Sequence, residues 1–282
     1  MAFTKIPGAT NRTTDFNSSG TWVCPSGVYS AEFLVVGAGG GGGAVTLSSA
    51  LNYGVGGGGG GGAVKKVNLS VTPGTSYTVT VGAKGVGATG AAGTNGGFSE
   101  VVLSGVTLVR SFGGQGASSV VSGSILYPSL TTGTIAGALG QAGGDNATTI
   151  QLGSGGGGAT FYSTNATATT VNNRFYGTEG SATQAASSTA ANVFLPMGQP
   201  GIDGYGAGGG GGSTNPSTSY NSPAAAFNAG QGASRTTTGA TAGGNAGANS
   251  GSGGGGAAAH TSTTAVAGGN GGDGLVRITY FA

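Results

Sequence analysis

The stretch FLVVGAGGGGG, residues 33–43, decides how the chain is read. An apolar run suited to a strand enters a glycine tract, and Gly37, Gly39 and Gly42 satisfy G-x-G-x-x-G. That spelling marks the pyrophosphate turn of dinucleotide-binding folds. Those folds also demand a helix after the turn and an acidic residue about 20 positions on. Neither follows. The next segment, AVTLSSALNYGVGGGGGGG, has no amphipathic helical period, and the first acid after Glu32 is Glu100. The phosphate-loop spelling G-x-x-x-x-G-K-[ST] does not occur. Glycine serves another purpose here.

Composition points the same way. Glycine makes up 67 of 282 residues, several times the usual share of about 7%. Charged residues are only 6%, where about 25% is ordinary. Glycine has no side chain to bury, so a conventional core can occupy only part of the chain. Nine basic and seven acidic residues are scattered thinly, and Lys65-Lys66 is the only basic pair. No cationic stripe tracks a phosphate backbone, which argues against nucleic acid as a partner. Cys24 stands alone and reads as a buried thiol, with no disulfide framework or thiolate metal cage. The start, MAFTKIPGATNRTTDF, lacks a charged segment followed by an apolar one, and no run of about 18 apolar residues occurs. The expectation is synthesis in a cytoplasm without a cleaved signal and without membrane insertion. The sequon at Asn165-Ala166-Thr167 is then incidental.

The chain divides by texture. Residues 1–15 are polar, carry Pro7 and Gly8, and read as an N-terminal arm or attachment segment. Residues 16–112 read as a β-rich base. In YSAEFLVV, Tyr29, Ala31, Phe33 and Val35 alternate with Ser30 and Glu32, the period of a half-buried strand. VKKVNLSV and YTVTV flank TPGTS, where Pro73 and Gly74 suit the two central turn positions, so a hairpin is expected. FSEVVL (98–103), VTLVRSF (106–112) and GLVRITYF (274–281) are further strands. A strand near each end suggests an antiparallel base closed by both termini, with the terminal strand in 274–282. Between them, in 113–273, glycine runs alternate with segments rich in Ser, Thr, Asn and Ala, without helical period.

Three roles for glycine compete. Collagen needs glycine at every third position and frequent proline, whereas here glycines are consecutive and prolines number eight. A flexible Gly/Ser linker sits poorly with recurrent tracts framed by strands. The favoured role is an ordered lattice of polyglycine-II helices, with three residues per turn and no internal hydrogen bonds. Each backbone group must then find a partner on a neighbouring rod. The predicted fold class is thus mostly β and irregular with no significant α: a small closed antiparallel base plus a bundle or sandwich of polyglycine-II rods with variable loops.

At this point the residues resemble a known group. Gly20-Thr21-Trp22-Val23, Pro25 and Gly27-Val28 lead into the 33–40 stretch. Later come Thr72-Pro73-Gly74, Tyr77, Val79 and Val81-Gly82, and finally Gly271-Gly272-Asp273-Gly274-Leu275-Val276 with Ile278. This order, over 16–282, resembles the glycine-rich domain of bacteriophage tail-fibre and receptor-binding proteins, and the texture is similar to tip adhesins of T-even-like long tail fibres. The resemblance implies a virion protein at a tail or fibre tip, binding a bacterial surface receptor (outer-membrane protein or polysaccharide) through loops on a rigid scaffold. A phage tail or tail-fibre protein would be the other partner, and the tip would be a monomer or a homotrimer. Those adhesins carry a sizeable N-terminal docking domain, whereas only about fifteen residues precede the β-region here.

Within that reading the loop-borne rings and guanidinium are the receptor-binding candidates: Phe161, Tyr162, Arg174, Phe175, Tyr176, Tyr220 and Phe227. Rings stack on sugar faces, Arg bonds hydroxyls or acids, and both types concentrate at energetic centres of interfaces. The same rings could instead cap the edges of the lattice. Trp22 reads as base packing and His260 as a loop residue. Asp203 and Asp273, each followed by Gly, look like turn residues. A single histidine gives no nucleophile–base pair, and the seven carboxylates show no metal-ligand spacing. Catalytic residues, cofactors and metals are therefore not expected. A structural spike or decoration protein is the alternative function, and a polysaccharide depolymerase the remote one, since any two carboxylates could meet on folding.

Overall fold

A computed structural model describes residues 10–47, 53–121, 124–126, 135–136, 143–146, 151–152, 156, 203–214, 228–235 and 238–282. Strands are numbered in chain order. β1 (Asn11–Phe16), β2 (Gly20–Val23) and β3 (Ser30–Val36) come first, then the short β4 (Val45–Thr46) and β5 (Tyr53–Val55). Four longer strands follow: β6 (Val64–Ser70), β7 (Ser76–Thr80), β8 (Ser99–Leu103) and β9 (Val106–Ser111). β10 (Gly113–Gly114), β11 (Ser119–Val121), β12 (Ser124–Leu126), β13 (Ile135–Ala136), β14 (Gly143–Asn146) and β15 (Gln151–Leu152) are brief. So are β16 (Ser213–Thr214), β17 (Ser234–Arg235), β18 (Gly239–Thr241) and β19 (Ala258–His260), before the long β20 (Leu275–Phe281). No helix occurs among the described residues.

Period-2 alternation builds the base. Two four-stranded antiparallel sheets, ordered β1-β20-β3-β6 and β2-β7-β8-β9, share one core. Phe33, Val35, Val276 and Ile278 of the first sheet meet Trp22, Tyr77, Val79, Val101 and Val109 of the second. The Trp22 ring sits edge-on to Phe33 at 5.7 Å and tilted against Tyr77 at 5.3 Å. Aromatic pairs in such geometry add about 0.5–1.5 kcal/mol beyond their buried area. Cys24 is buried beside them, and burial pushes its thiol pKa up.

The expectation of a closed base is corrected by this topology. Neither sheet closes: β1 and β6 are free edges of one, and β2 and β9 of the other. The first and last described residues do meet, since the Thr10 amide donates to the Ala282 carbonyl at 2.9 Å. Yet β20 lies inside its sheet, between β1 and β3. The polar start is structured from Asn11 onward as edge strand β1, where Arg277 forks onto Asp15 across the ladder at 2.7 and 2.8 Å.

The expected hairpin is also corrected. Its turn exists, with Gly74 at φ 77° and the Thr75 amide donating to Thr72 at 3.1 Å. Its strands do not pair: β6 lies against β3, whereas β7 lies between β2 and β8. Val67, Leu69 and Val71 on one arm and Tyr77 and Val79 on the other all face the shared core. Two strands facing each other across a core satisfy the same alternation as two lying side by side. Tyr29, grouped with the inward residues by alternation, precedes β3 and is 71% exposed.

From the base rises the glycine lattice. The rod 37–44 donates outward with a period of three. Gly37, Gly40 and Gly43 bond Ala63, Gly60 and Gly57; Ala38 and Gly41 bond Gly97 and Thr94; Gly39 and Gly42 bond Gly272 and Gly269. It accepts in the same rhythm. Gly114 and Ala117 donate to Ala38 and Gly41, Gly254 and Ala257 to Gly40 and Gly43, and Gly85 to Gly39. These bonds span 2.7–3.0 Å. Three neighbours receive and three give, so one rod has six partners, as a helix with three residues per turn requires. The rod 251–257 is surrounded likewise: it donates toward 207–210, 40–43 and 244, and accepts from 56–62, 230–233 and 269–272. A Cβ at Gly37, Gly39, Gly40 or Gly43 would fall on a neighbouring backbone carbonyl. The absence of a side chain is what lets the rods touch.

Candidate functional site

The lattice has two different ends. Val36, Val64, Ser111 and Leu275 mark the base end, where rods pass directly into β3, β6, β9 and β20. The opposite, distal end carries the short strands. There β14-β5-β19-β18 form one sheet, β12-β11-β4 a second and β15-β16-β17 a third. Rods cannot turn while remaining rods, so the chain reverses here through residues that bear side chains.

One row of the distal sheet brings together aromatic and cationic side chains. Asn146 of β14 pairs with Tyr53 of β5, Tyr53 with His260 of β19, and His260 with Gly239 of β18. Directly paired residues of an antiparallel ladder share a face. The Tyr53 and His260 rings accordingly stack, with centroids 4.5 Å apart and planes at 28°. Gly239 has no side chain, and the Arg235 guanidinium takes that space, its atoms being the nearest to where a Cβ would stand. Arg235 donates one bond from Nη2 to the Ala240 carbonyl at 3.3 Å. The row thus reads phenol, imidazole, guanidinium.

Several polar atoms in this neighbourhood are buried and lack a hydrogen-bond partner: Nε of Arg235, Nδ1 of His260, and the hydroxyls of Thr46, Ser213 and Thr214. Thr214 is in register with Arg235. Leaving such a group unmatched costs about 1–3 kcal/mol, and among the described residues all five such side-chain atoms lie at this end. Among the described residues no carboxylate forms an ion pair with Arg235, whereas Lys66, Lys84, Arg110 and Arg277 pair with Glu32, Asp273, Glu100 and Asp15 in or beside the base.

Phe161, Tyr162, Arg174, Phe175, Tyr176, Tyr220 and Phe227 lie outside the described residues. Their flanks are described. Asp203, at φ 51°, and Gly204 make a turn as anticipated. Tyr205 then packs against Leu34, Val36, Val64 and Leu275 at the base end. Thr214 stands at the distal end, while Asn228 is at the base end, its side-chain amide donating to Gly204 at 3.3 Å. Asp273 is not a turn residue: it lies in an extended rod, and its carboxylate accepts from the Lys84 amide at 2.9 Å. His260 belongs to β19, not to a loop.

Tyr53, Arg235 and His260 escaped the sequence reading because they are far apart in the chain and match no spacing rule. A weak signal was present. Tyr53 shortly precedes a glycine run, and Arg235 and His260 shortly follow one, where a rod gives way to side chains. Among the described residues no three of His, Cys, Asp or Glu come together as metal ligands would.

Comparison with protein families matches residues 13–281 to the glycine-rich domain family, and the chain belongs to it. Comparison with curated proteins finds no match.

Proposed function

We propose that this protein is a bacteriophage receptor-binding protein at a tail or tail-fibre tip, acting by adhesion without catalysis. One observation carries the reading: parallel and antiparallel rods run from a β base to a distal face where the chain reverses between side-chain-bearing strands. The rods are bonded to one another along their length, which supports reading the distal connections as the part of the chain that can vary. Recognition is commonly carried by such connections on a rigid support. The order of motifs in 16–282, similar to that of tail-fibre glycine-rich domains, supports the same reading.

In this reading the base faces the virion and contacts a tail or fibre protein, and the distal end and the long segments 159–203 and 213–229 face the host. The receptor is an outer-membrane protein or a surface polysaccharide. The protein is made in the host cytoplasm and carried on the particle. Purified protein should bind susceptible cells and block adsorption of the phage that encodes it. Folded protein that does neither refutes the proposal. Host-range mutations clustering in 159–203 or 213–229 would assign the receptor to those segments.

A further inference from the structure

We propose that Asn95-Gly96 and Asn270-Gly271 are latent self-modification sites, held unreactive by neighbouring rods and able to lock the lattice open once they react. They are the only two Asn-Gly pairs in the sequence. Asparagine is thermally labile, and most so before glycine, where no side chain shields the following amide. In the reaction the Gly271 nitrogen attacks Cγ of Asn270. A bond forms between that nitrogen and Cγ, the Cγ–Nδ2 bond breaks, and the leaving group takes the amide proton away as ammonia. Water then opens the cyclic imide at either carbonyl. One opening gives aspartate. The other gives isoaspartate, whose main chain runs through Cγ and gains a methylene.

In both pairs the reacting groups are engaged. The Gly271 amide donates to the Gly85 carbonyl at 2.9 Å, and Asn270 Oδ1 accepts from the Gly87 amide at 3.1 Å. The Gly96 amide donates to the Gly114 carbonyl at 2.9 Å, and Asn95 Oδ1 accepts from the Gly116 amide at 2.9 Å. Nucleophile and carboxamide are thus tied to one and the same neighbouring rod, 82–87 for Asn270-Gly271 and 113–117 for Asn95-Gly96. Attack requires both bonds to break and the main chain to turn. The rod 37–44 leaves no slack for that turn: a Cβ at Gly271 would fall on the Gly39 carbonyl, and one at Gly96 on the Ala38 carbonyl. The same crowding makes the product incompatible with closure. An inserted methylene shifts every later residue of the rod off its three-residue repeat, and the surrounding backbones have no room to absorb it.

Full-length protein and synthetic peptides spanning 90–99 and 265–275 are held at mildly alkaline pH, and conversion at each asparagine is followed by peptide mapping with mass spectrometry. Conversion that waits on local opening scales with the open population, so both sites should convert at least about tenfold more slowly in the folded protein than in the peptides. Urea that unfolds the lattice should restore the peptide rate. Chains aged in urea are then refolded and treated with protease. Isoaspartate at positions 95 and 270 should be depleted from the resistant fraction. Asn270→Asp, which adds the charge without the methylene, should refold and resist protease as wild type does. Folded protein that converts at the peptide rate overturns the proposal, as does isoaspartate equally abundant in the resistant fraction. An Asn270→Asp chain that fails to refold overturns the assignment of the lock to the inserted methylene.

Discussion

Replacing Gly40 by alanine tests the lattice at a place where backbones touch. A Cβ there would approach the Gln115 carbonyl far inside the 3.0 Å that real Cβ atoms keep. The obstacle is backbone, so no side chain can swing aside. Making room disturbs three hydrogen bonds: Gly60 to Gln115 at 2.7 Å, Gly40 to Gly60 at 2.9 Å and Gly254 to Gly40 at 3.0 Å. At about 0.5–1.5 kcal/mol each, their loss costs about 1.5–4.5 kcal/mol. Alanine stiffens the unfolded chain and returns about 0.4–1 kcal/mol. The net expectation is destabilisation by about 0.5–4 kcal/mol, read by calorimetry as about 2–4 °C per kcal/mol for a chain of this size. Gly247 is the control. Its added Cβ meets nothing closer than Asn228 at 3.5 Å, and its backbone is compatible with alanine. Gly247→Ala should leave the midpoint unchanged or raise it, by up to about 1 kcal/mol. Equal midpoints for the two variants would refute the view that rods are held together by contacts only glycine permits.

Three further outcomes follow from the base. Glu100 is 9% exposed and receives Arg110 Nη2 at 2.6 Å, Arg110 Nε at 2.8 Å and the Thr107 hydroxyl at 3.2 Å; Arg110→Ala should cost about 1–3 kcal/mol in urea unfolding, and Glu100→Gln in the same background should recover part of it. The hydrogen bond from Arg277 holds the Asp15 carboxyl below its ordinary value of 3.8, so its stabilisation is full above that pH and is lost as the pH falls through the lowered folded value. Wild type should therefore lose more stability than Asp15→Asn on acidification, by less than about 1 kcal/mol for so exposed a pair. Burial raises the Cys24 pKa, so a thiol-labelling reagent should react only when the base opens, at a rate that tracks the urea-induced loss of Trp22 burial.

The strands of the base were legible because alternation is a local signal. β3, β6, β8, β9 and β20 fall within a residue or two of where their patterns place them. Partner choice was not legible. The Pro73–Gly74 turn is written in its residues, yet nothing local says that its arms belong to different sheets, because both arrangements bury the same faces. Closure failed for a related reason: strands at both ends of a sequence show that the ends meet, and a meeting inside an open sheet looks the same from the residues. The rods were readable as extended glycine, but their neighbours were not. Register between strands is set by side-chain pattern, and seven identical glycines carry none. Tyr53, His260 and Arg235 become a row only after that register is fixed, so no reading of spacing could assemble them.

The interior seat of β20 has a consequence for how the molecule comes into being. Residues 275–281 fill the gap between β1 and β3, and 266–272 bond a rod formed from residues 39–45. Early and late chain segments are thus mutually indispensable, and such high sequence separation slows folding. During synthesis β1, β3 and the rod 39–45 lack their late partners, so the sheet β1-β20-β3-β6 waits for the ribosome to deliver β20. A nascent chain truncated before Leu275 should remain protease-sensitive throughout, base included, and the shift to resistance should come in one step as β20 emerges.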